Sequence, residues 1–297
     1  MAMRVKYNLD TAVTLQVTGP SDRGAACMLH NAMYGYANLN AVDLHVGVEK
    51  GRLRCVTDAV RGLGLCGFSL GEPHKSDIIG LLDEVEPMSR AFRCVNTVVN
   101  RGGRLYGEGM DGVGMRMAIE QTAGPVRGRH VLIIGAGAVG GLIPADLCRH
   151  GAASVTIANR TPSKAQFIAE TLHAHFGVPV RFGGLEPGFL EHAAAQADLL
   201  VQCSSVGNPS HPELRFESLD FVDCLPAHCV AADVNYPSNP FLERASARGL
   251  ATVSGEGMLY CQQLAVMQLR FGVELPQDSL REGREAVAVA LALRALR

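Results

Sequence analysis

The segment Val131-Leu132-Ile133-Ile134-Gly135-Ala136-Gly137-Ala138-Val139-Gly140 constrains what this chain can fold into more than any other. Residues His130–Ile134 predict a strand that is apolar on both faces, as a central strand of a parallel sheet requires. The strand runs into G-x-G-x-x-G, and the residues beyond have helical spacing. Gly135 permits a tight turn, Gly137 lets the backbone approach a pyrophosphate, and Gly140 lets helix and strand pack closely. The free N–H groups and the dipole at the helix N-terminus favour anionic phosphates. The loop, with Ala136, Ala138 and Val139 between its glycines, is therefore a candidate dinucleotide site. A glycine triplet outside a strand–helix context would carry little weight.

The next strand, Ser154–Ala158, ends in Ala158-Asn159-Arg160-Thr161-Pro162-Ser163-Lys164. An NAD site usually places an acid about 20 residues past the glycine loop, to bind the ribose hydroxyls. No acid stands there. Arg160 and Lys164 offer cations for a 2′-phosphate through charge-assisted hydrogen bonds, so the expected cofactor is NADP in preference to NAD. Two solvated surface cations are the plainer reading, which leaves the missing acid unexplained.

Apolar, β-branched segments alternate with helical ones along the chain, the pattern of an α/β fold with parallel strands. The predicted elements of the first third are a strand at Val13–Val17, a helix at Ala25–Ala37 and a strand at Ala41–Val46. They continue with a helix at Glu84–Ala91 and a strand at Ala91–Val99, ending in the turn Asn100-Arg101-Gly102-Gly103. A second unit begins with the helix Gly112–Thr122 and adds strands at Leu199–Cys203 and Val230–Val234. Two helices, Met258–Phe271 and Ser279–Leu296, close the chain. The expected organisation is an N-terminal α/β substrate domain over 1–111 and a Rossmann-type dinucleotide domain over 112–256. The C-terminal helices, 257–297, are expected to pack back on the first domain.

Composition narrows the partner class. A net charge of −2 gives no general reason to expect nucleic-acid or membrane-surface binding, and 19% charged residues is too few for extended disorder. The nine cysteines are scattered singly with no CxxC, which fits a reduced cytoplasmic chain with small apolar thiols. The N-terminus MAMRVKYNLD has no signal-peptide core. The longest apolar run, Val131–Ala145, is too short to span a bilayer and contains four glycines and a proline. No cluster has metal-ligand spacing. The expected partner is a small metabolite, and the expected protein a soluble monomer or homodimer.

Several further segments, in their order along the chain, resemble the shikimate dehydrogenase family. His30-Asn31 followed by Asn40-Ala41-Val42 resembles its N-terminal helix and second strand, and Pro73-His74-Lys75 the end of its N-V-T-x-P-x-K motif. Val95-Asn96-Thr97-Val98 matches V-N-T-V, Gly107-Glu108-Gly109-Met110-Asp111-Gly112 resembles G-x-N-T-D-G, and Asn159-Arg160-Thr161 matches its N-R-T cofactor clamp. Asp233-Val234-Asn235-Tyr236-Pro237 and Gly255-Glu256-Gly257-Met258-Leu259-Tyr260-Cys261-Gln262 resemble its two C-terminal motifs. The resemblance implies reversible NAD(P)-dependent oxidation of a ring secondary alcohol, shikimate or quinate, to the ketone. It implies Lys75 and Asp111 as the catalytic pair, moving the hydroxyl proton as hydride leaves the carbinol carbon. It implies Asn96, Tyr236 and Gln262 as substrate contacts. Asn159, Arg160, Thr161, Lys164, Ser204 and Gly257 join the glycine loop as cofactor contacts. His30 reads as a structural hydrogen-bonding residue.

The departures fall on the substrate pocket. The family holds the substrate carboxylate with an S-x-S pair and with the threonine of N-V-T-x-P-x-K. In this chain the serine positions become Gly24 and Ala26, the threonine becomes Gly71 and the preceding asparagine Ser69. Gly109-Met110 replaces Asn-Thr before Asp111. Each hydrogen bond to a charged group contributes about 1.5–3 kcal/mol, so unreplaced losses weaken binding of a ring acid by orders of magnitude. Ser21, Arg23, Ser69 or backbone N–H groups at Gly24 and Gly71 are the candidate replacements. The alternatives are a dehydrogenase for another cyclic polyol and a catalytically weak sensor of a metabolite or nicotinamide pool.

Overall fold

A computed structural model describes residues 7–21, 25–208, 211, 213–236, 239–276, 279, 281, 283–285 and 288–289. The chain divides into two compact units, Met1–Met110 with Gln263–Arg297, and Asp111–Gln262.

The first unit is built on a six-stranded sheet of order β2-β1-β3-β5-β6-β4. Its strands are β1 (Ala12–Thr18), β2 (Ala41–Gly47), β3 (Gly67–Leu70), β4 (Glu84–Val85), β5 (Thr97–Arg101) and β6 (Arg104–Glu108). The β1, β2 and β3 strands are parallel, but β5 runs antiparallel to both β3 and β6. The sheet is thus mixed, and the expectation of parallel strands fails here. The cause is local. Gly102 and Gly103, at φ 61 and 91, form the two-residue turn between β5 and β6, and positive φ at both centres favours a tight hairpin.

Two further boundaries differ from the sequence reading. Glu84–Val85 is a strand, and the helix α3 covers only Pro87–Ala91. Pro87 has no N–H to lose at a helix start, and the Glu86 side chain accepts from the Ser89 N–H at 2.7 Å, which fixes the helix entrance there. The predicted strand Ala91–Val99 begins only at Thr97, because Arg93, at φ 53, turns the chain first. The helix α1 covers Ala25–Tyr36, and α2, Leu53–Gly62, was not anticipated. One face of the sheet is an apolar core in which Val17, Phe68, Leu70 and Val98 meet Val56 and Val60 of α2.

The second unit carries six parallel strands in the order β12-β11-β10-β7-β8-β9. They are β7 (His130–Ile134), β8 (Ser154–Ala158), β9 (Val180–Gly183), β10 (Leu199–Gln202), β11 (Val230–Asp233) and β12 (Ala251–Val253). Helices α4 (Asp111–Ala123), α5 (Ala138–Arg149), α6 (Pro162–Phe176), α7 (Pro187–Ala194) and α8 (Pro240–Ala247) alternate with them, and α9 (Gly255–Phe271) begins in this unit while its residues from Gln263 onward belong to the first. The chain winds outward from β7 in one direction and from β10 in the other. The crevice beyond the C-terminal ends of β7 and β10 is therefore the switch point where such sheets bind ligands. Of the predicted helix Ser279–Leu296, residues 279, 281, 283–285 and 288–289 are helical and the remainder lies outside the described residues. No described helix is long and apolar enough to cross a membrane.

Gly67 sits at φ +142, and a Cβ there would lie 2.1 Å from the Val98 carbonyl oxygen across the β3–β5 pair. Gly67→Ala is expected to destabilise the protein by about 2–3 kcal/mol through overpacking against backbone. Urea unfolding measures this, and an unchanged midpoint would contradict the strand register.

Candidate functional site

The glycine loop has the geometry its sequence predicts. Gly135 is at φ +107, and a Cβ on it would lie 2.8 Å from the Ser204 nitrogen. A Cβ on Gly140 would lie 2.2 Å from the Gly135 carbonyl oxygen. Both positions therefore need glycine for packing. Gly137, the N-cap of α5, has nothing within 4 Å of a built Cβ. Its lack of a side chain is unused by the protein itself and leaves the backbone open to a ligand. The first N–H groups of α5, at Ala138, Val139 and Gly140, have no partner within the helix and face that opening.

Asn159 at the end of β8 closes one side of the loop. Its Oδ1 accepts from the Ala136 N–H at 3.0 Å, and its Nδ2 donates to the Thr161 carbonyl at 2.9 Å. Asn159 thus ties the strand end to the loop, while Arg160 and Lys164 are exposed and form no ion pair among the described residues. Ser204 lies against Gly135 and accepts from the Val206 N–H at 3.2 Å. Gly257 faces Ala118 at ordinary contact distance, so a larger residue meets no backbone there. These groups suit a dinucleotide: an open backbone at Gly137, free N–H groups, and unpaired cations where an NAD-type acid would stand.

Below this crevice, a polar cluster fixes the loop after β10. The Asp233 carboxylate is fully buried and accepts from the Asn235 N–H (2.8 Å), Asn235 Nδ2 (2.9 Å) and Asn239 Nδ2 (2.7 Å). Asn235 and Gln202 in turn donate to the carbonyls of Ser204 and Val206. Burial pushes the Asp233 carboxyl up to about 6 despite these donors. The sequence reading took Asp233 and Asn235 as motif members without roles, and the structure shows that they hold the segment under Gly135.

Asp111 opens α4 and is 4% exposed, and Gln262 Nε2 donates to its Oδ1 at 2.9 Å. Two glycines make this contact possible. A Cβ on Gly112 would lie 2.5 Å from the Leu142 carbonyl of α5, and one on Gly114 would lie 2.6 Å from the Met258 carbonyl of α9. Arg116 locks the same helix to α5 by donating to Asp146 Oδ2 at 2.7 Å. Asp111 is thereby a buried carboxylate held in one orientation.

In the first unit, Lys75 is half-buried and its carbonyl accepts from the Val95 N–H at 3.0 Å. Asn96 is 7% exposed, and its Oδ1 accepts from the Met110 N–H at 2.9 Å, setting the backbone next to Asp111. Tyr236, three residues past the end of β11 in the other unit, is 49% exposed. Gly24 and Arg23 lie outside the described residues, and Ala26 is half-buried. Of the candidate replacements, the Gly71 N–H is already engaged, donating to the Val17 carbonyl at 2.9 Å, while Ser69 Oγ accepts from Arg270 Nη2 at 3.0 Å and keeps its own hydroxyl proton to donate. A free backbone donor at Gly71 is therefore ruled out.

Arg270 escaped the sequence reading, although a lone cation in the mostly apolar segment Leu264–Phe271 was the available signal. So did Asp43. Its carboxylate accepts from Thr14 Oγ1 at 2.5 Å and lies 3.1 Å from His30 Nδ1, whose Nε2 lies 2.5 Å from Gln263 Oε1. Burial pushes the Asp43 carboxyl up, but His30, Thr14 and Arg270 outweigh it and hold it below the usual range. His30 is thus a buried structural partner, as its position suggested.

Comparison with known proteins adds to this geometry. Residues 117–239 match the family model for shikimate / quinate 5-dehydrogenase, and residues 22–98 match that for the shikimate dehydrogenase substrate binding domain. The chain is similar to the shikimate dehydrogenase (NADP(+)) of Symbiobacterium thermophilum, 35% identical over 266 residues, covering 88% of this chain and 90% of that protein. Its fold is similar to quinate dehydrogenase from Corynebacterium glutamicum in complex with NAD, with TM-score 0.80 and 26% identity, covering 93% of this chain and 99% of that one. It is also similar to ligand-free 5-ketofructose reductase of Gluconobacter sp. strain CHM43, with TM-score 0.83 and 26% identity, covering 94% of this chain and all (100%) of that one.

Gly137→Leu meets open space, so its melting temperature should stay within about 2 °C of the parent while dinucleotide affinity falls at least about tenfold. Titration calorimetry checks this, and unchanged affinity would contradict the site. For Asp233, a folded-state value of about 6 against an ordinary 3.8 means that the fold favours the protonated form. The stability it contributes is complete below the ordinary value and is lost as pH rises through about 6. The unfolding free energy of the parent minus that of Asp233→Asn should therefore fall, by up to about 3 kcal/mol, from pH about 4 to 7. A difference that grows with pH would show the carboxylate to be favoured instead.

Proposed function

The chain belongs to the shikimate dehydrogenase family, and from that premise we propose that it oxidises a ring secondary alcohol of the shikimate or quinate type with NADP. The observation that carries this reading is the buried Asp111 held by Gln262 in a unit whose glycine loop is open at Gly137. When bound, the nicotinamide supplies the hydride acceptor. Asp111 and Lys75 act as the proton-transfer pair: as the carbinol C–H bond breaks, the hydroxyl proton passes to this pair and the carbonyl forms. In the reverse direction, the Lys75 ammonium stabilises the developing alkoxide. Gln262 holds the Asp111 carboxylate in one orientation for that transfer. Asn96, Tyr236 and the Gln262 amide bind the other ring hydroxyls. Asn159 keeps the loop shaped for the pyrophosphate, and Arg160 with Lys164 holds the adenosine 2′-phosphate.

The NADP preference rests on the absence of an acid after β8 and on the NADP-linked relatives; the NAD complex of the quinate enzyme makes it a matter for measurement. The likeness to a 5-ketofructose reductase, together with the hydroxyl-free Ala26 and Gly71, favours a second reading, an uncharged polyol or its ketone as substrate.

Steady-state kinetics with shikimate and quinate test the assignment. Lys75→Ala and Asp111→Asn should each lower kcat by about 100-fold or more, with cofactor affinity kept. Arg160→Ala should raise the KM for NADP about tenfold and leave that for NAD unchanged. Near-normal turnover in both catalytic variants would remove the pair from the mechanism.

A further inference from the structure

The first unit's sheet has two unlike faces, one of them the apolar core under α2. Strand β1 alternates Val13, Leu15 and Val17 with Thr14, Gln16 and Thr18, and period-two geometry sends the two sets to opposite sides. Register extends the polar side across the sheet. Asp43 lies beside Thr14 and His45 beside Gln16 on β2, while Ser69 lies beside Gln16 on β3. Thr14, Gln16, Thr18, Asp43 and Ser69 are all at most 8% exposed. A buried face of this kind costs free energy unless every polar group is matched.

Most of the face is matched within itself. Asp43 has Thr14 and His30, and Thr18 Oγ1 lies 2.8 Å from His45 Nε2. Arg270 is the exception. The residue is 8% exposed, with Nη1 donating to Tyr34 Oη at 3.2 Å and Nη2 to Ser69 Oγ at 3.0 Å. No described carboxylate forms an ion pair with it, and its Nε is buried without a hydrogen-bond partner. Gln16 Oε1, on the residue in register with Ser69, is likewise buried without one. A buried guanidinium with no described carboxylate at ion-pair distance and an orphan Nε, beside an orphan acceptor on an adjoining position, is costly in a finished core, whereas in a binding face these atoms are complementary to a ligand. A guanidinium with a free Nε edge matches a carboxylate, and a free amide oxygen matches a hydroxyl.

We infer that Arg270, with Ser69 and Gln16, forms the subsite that holds the carboxylate of a hydroxylated ring acid, and so determines specificity for acids over uncharged polyols. The inference rests on the dehydrogenase reading for the identity of the ring. It answers the question left by Gly71 and Ala26: the hydroxyl donors are replaced by a single cation from α9. It also bears on the two substrate readings, since an uncharged ketose brings no carboxylate to the Arg270 Nε.

The test is binding, measured by calorimetry without turnover, of shikimate and of its methyl ester, which keeps the ring and hydroxyls but removes the charge. The parent protein is expected to bind the acid about 10- to 100-fold more tightly than the ester, the range for hydrogen bonds to a charged group. Arg270→Gln should abolish that preference, bringing acid and ester to within about twofold of each other. Arg270→Lys, which keeps the charge without the planar fork, should retain a reduced preference and serves if the glutamine variant does not fold. Equal binding of acid and ester by the parent, or an undiminished preference in either variant, would overturn the subsite. Cofactor reduction is read separately. Binding of the acid without its oxidation would fault the dehydrogenase reading alone, and turnover without acid preference would fault Arg270 alone.

Discussion

The approach of α4 to α9 governs what the second unit can do. Gly114 makes it possible: a Cβ there would lie 2.6 Å from the Met258 carbonyl oxygen and 2.7 Å from Gln262 Cβ. At that separation Gln262 reaches Asp111, and a carboxylate that burial alone would leave unsatisfied gains an oriented donor. Gly112 on the neighbouring face of α4 brings α5 equally close, and α5 is the helix whose N-terminus carries the glycine loop. The candidate acid–base group and the candidate phosphate site are therefore set by the same two small residues on one helix. Larger side chains at either position would move Asp111 relative to the loop before they touched any ligand.

The first unit solves a different problem. One side of its sheet is closed by aliphatic packing under α2, and the other is lined with threonine, glutamine, aspartate and serine beneath α1 and α9. The Asp43–His30–Gln263 chain shows how such a face is made tolerable, each buried polar atom being given a partner from a covering helix. Arg270 and Gln16 break that rule, and the break falls at the strand carrying Ser69, four residues ahead of Pro73 in the Lys75 motif.

The sequence made the second unit legible because its strands are continuous apolar runs and its glycines stand at turns with one physical meaning. His130–Ile134 and Ser154–Ala158 come out at their predicted bounds. The first unit was harder to read for the opposite reason. Its polar strand positions look like surface, so β3 with Ser69 went unseen, and the Gly102-Gly103 hairpin reverses β5 in a sheet that alternation alone suggests is parallel. The site divided along the same line. The motif residues Asp111, Gln262 and Asn159 were visible by pattern, and the structure gave each a partner. Arg270 and Asp43 have no motif, and only three-dimensional burial, with an orphan Nε on the first and a histidine partner on the second, reveals them. Gly71 teaches the reverse lesson: a glycine in place of threonine suggested a free N–H, and the β1 carbonyl of Val17 had already taken it.

The most direct test of the account is isotopic transfer in the parent enzyme. Shikimate or quinate deuterated at the reacting carbinol carbon is supplied with NADP, and both products are analysed by mass spectrometry and NMR. The account predicts one deuterium delivered to C4 of the reduced nicotinamide for each ring ketone formed. Ketone formed without label in the cofactor, or intact cofactor binding with no ketone from either acid, would contradict it.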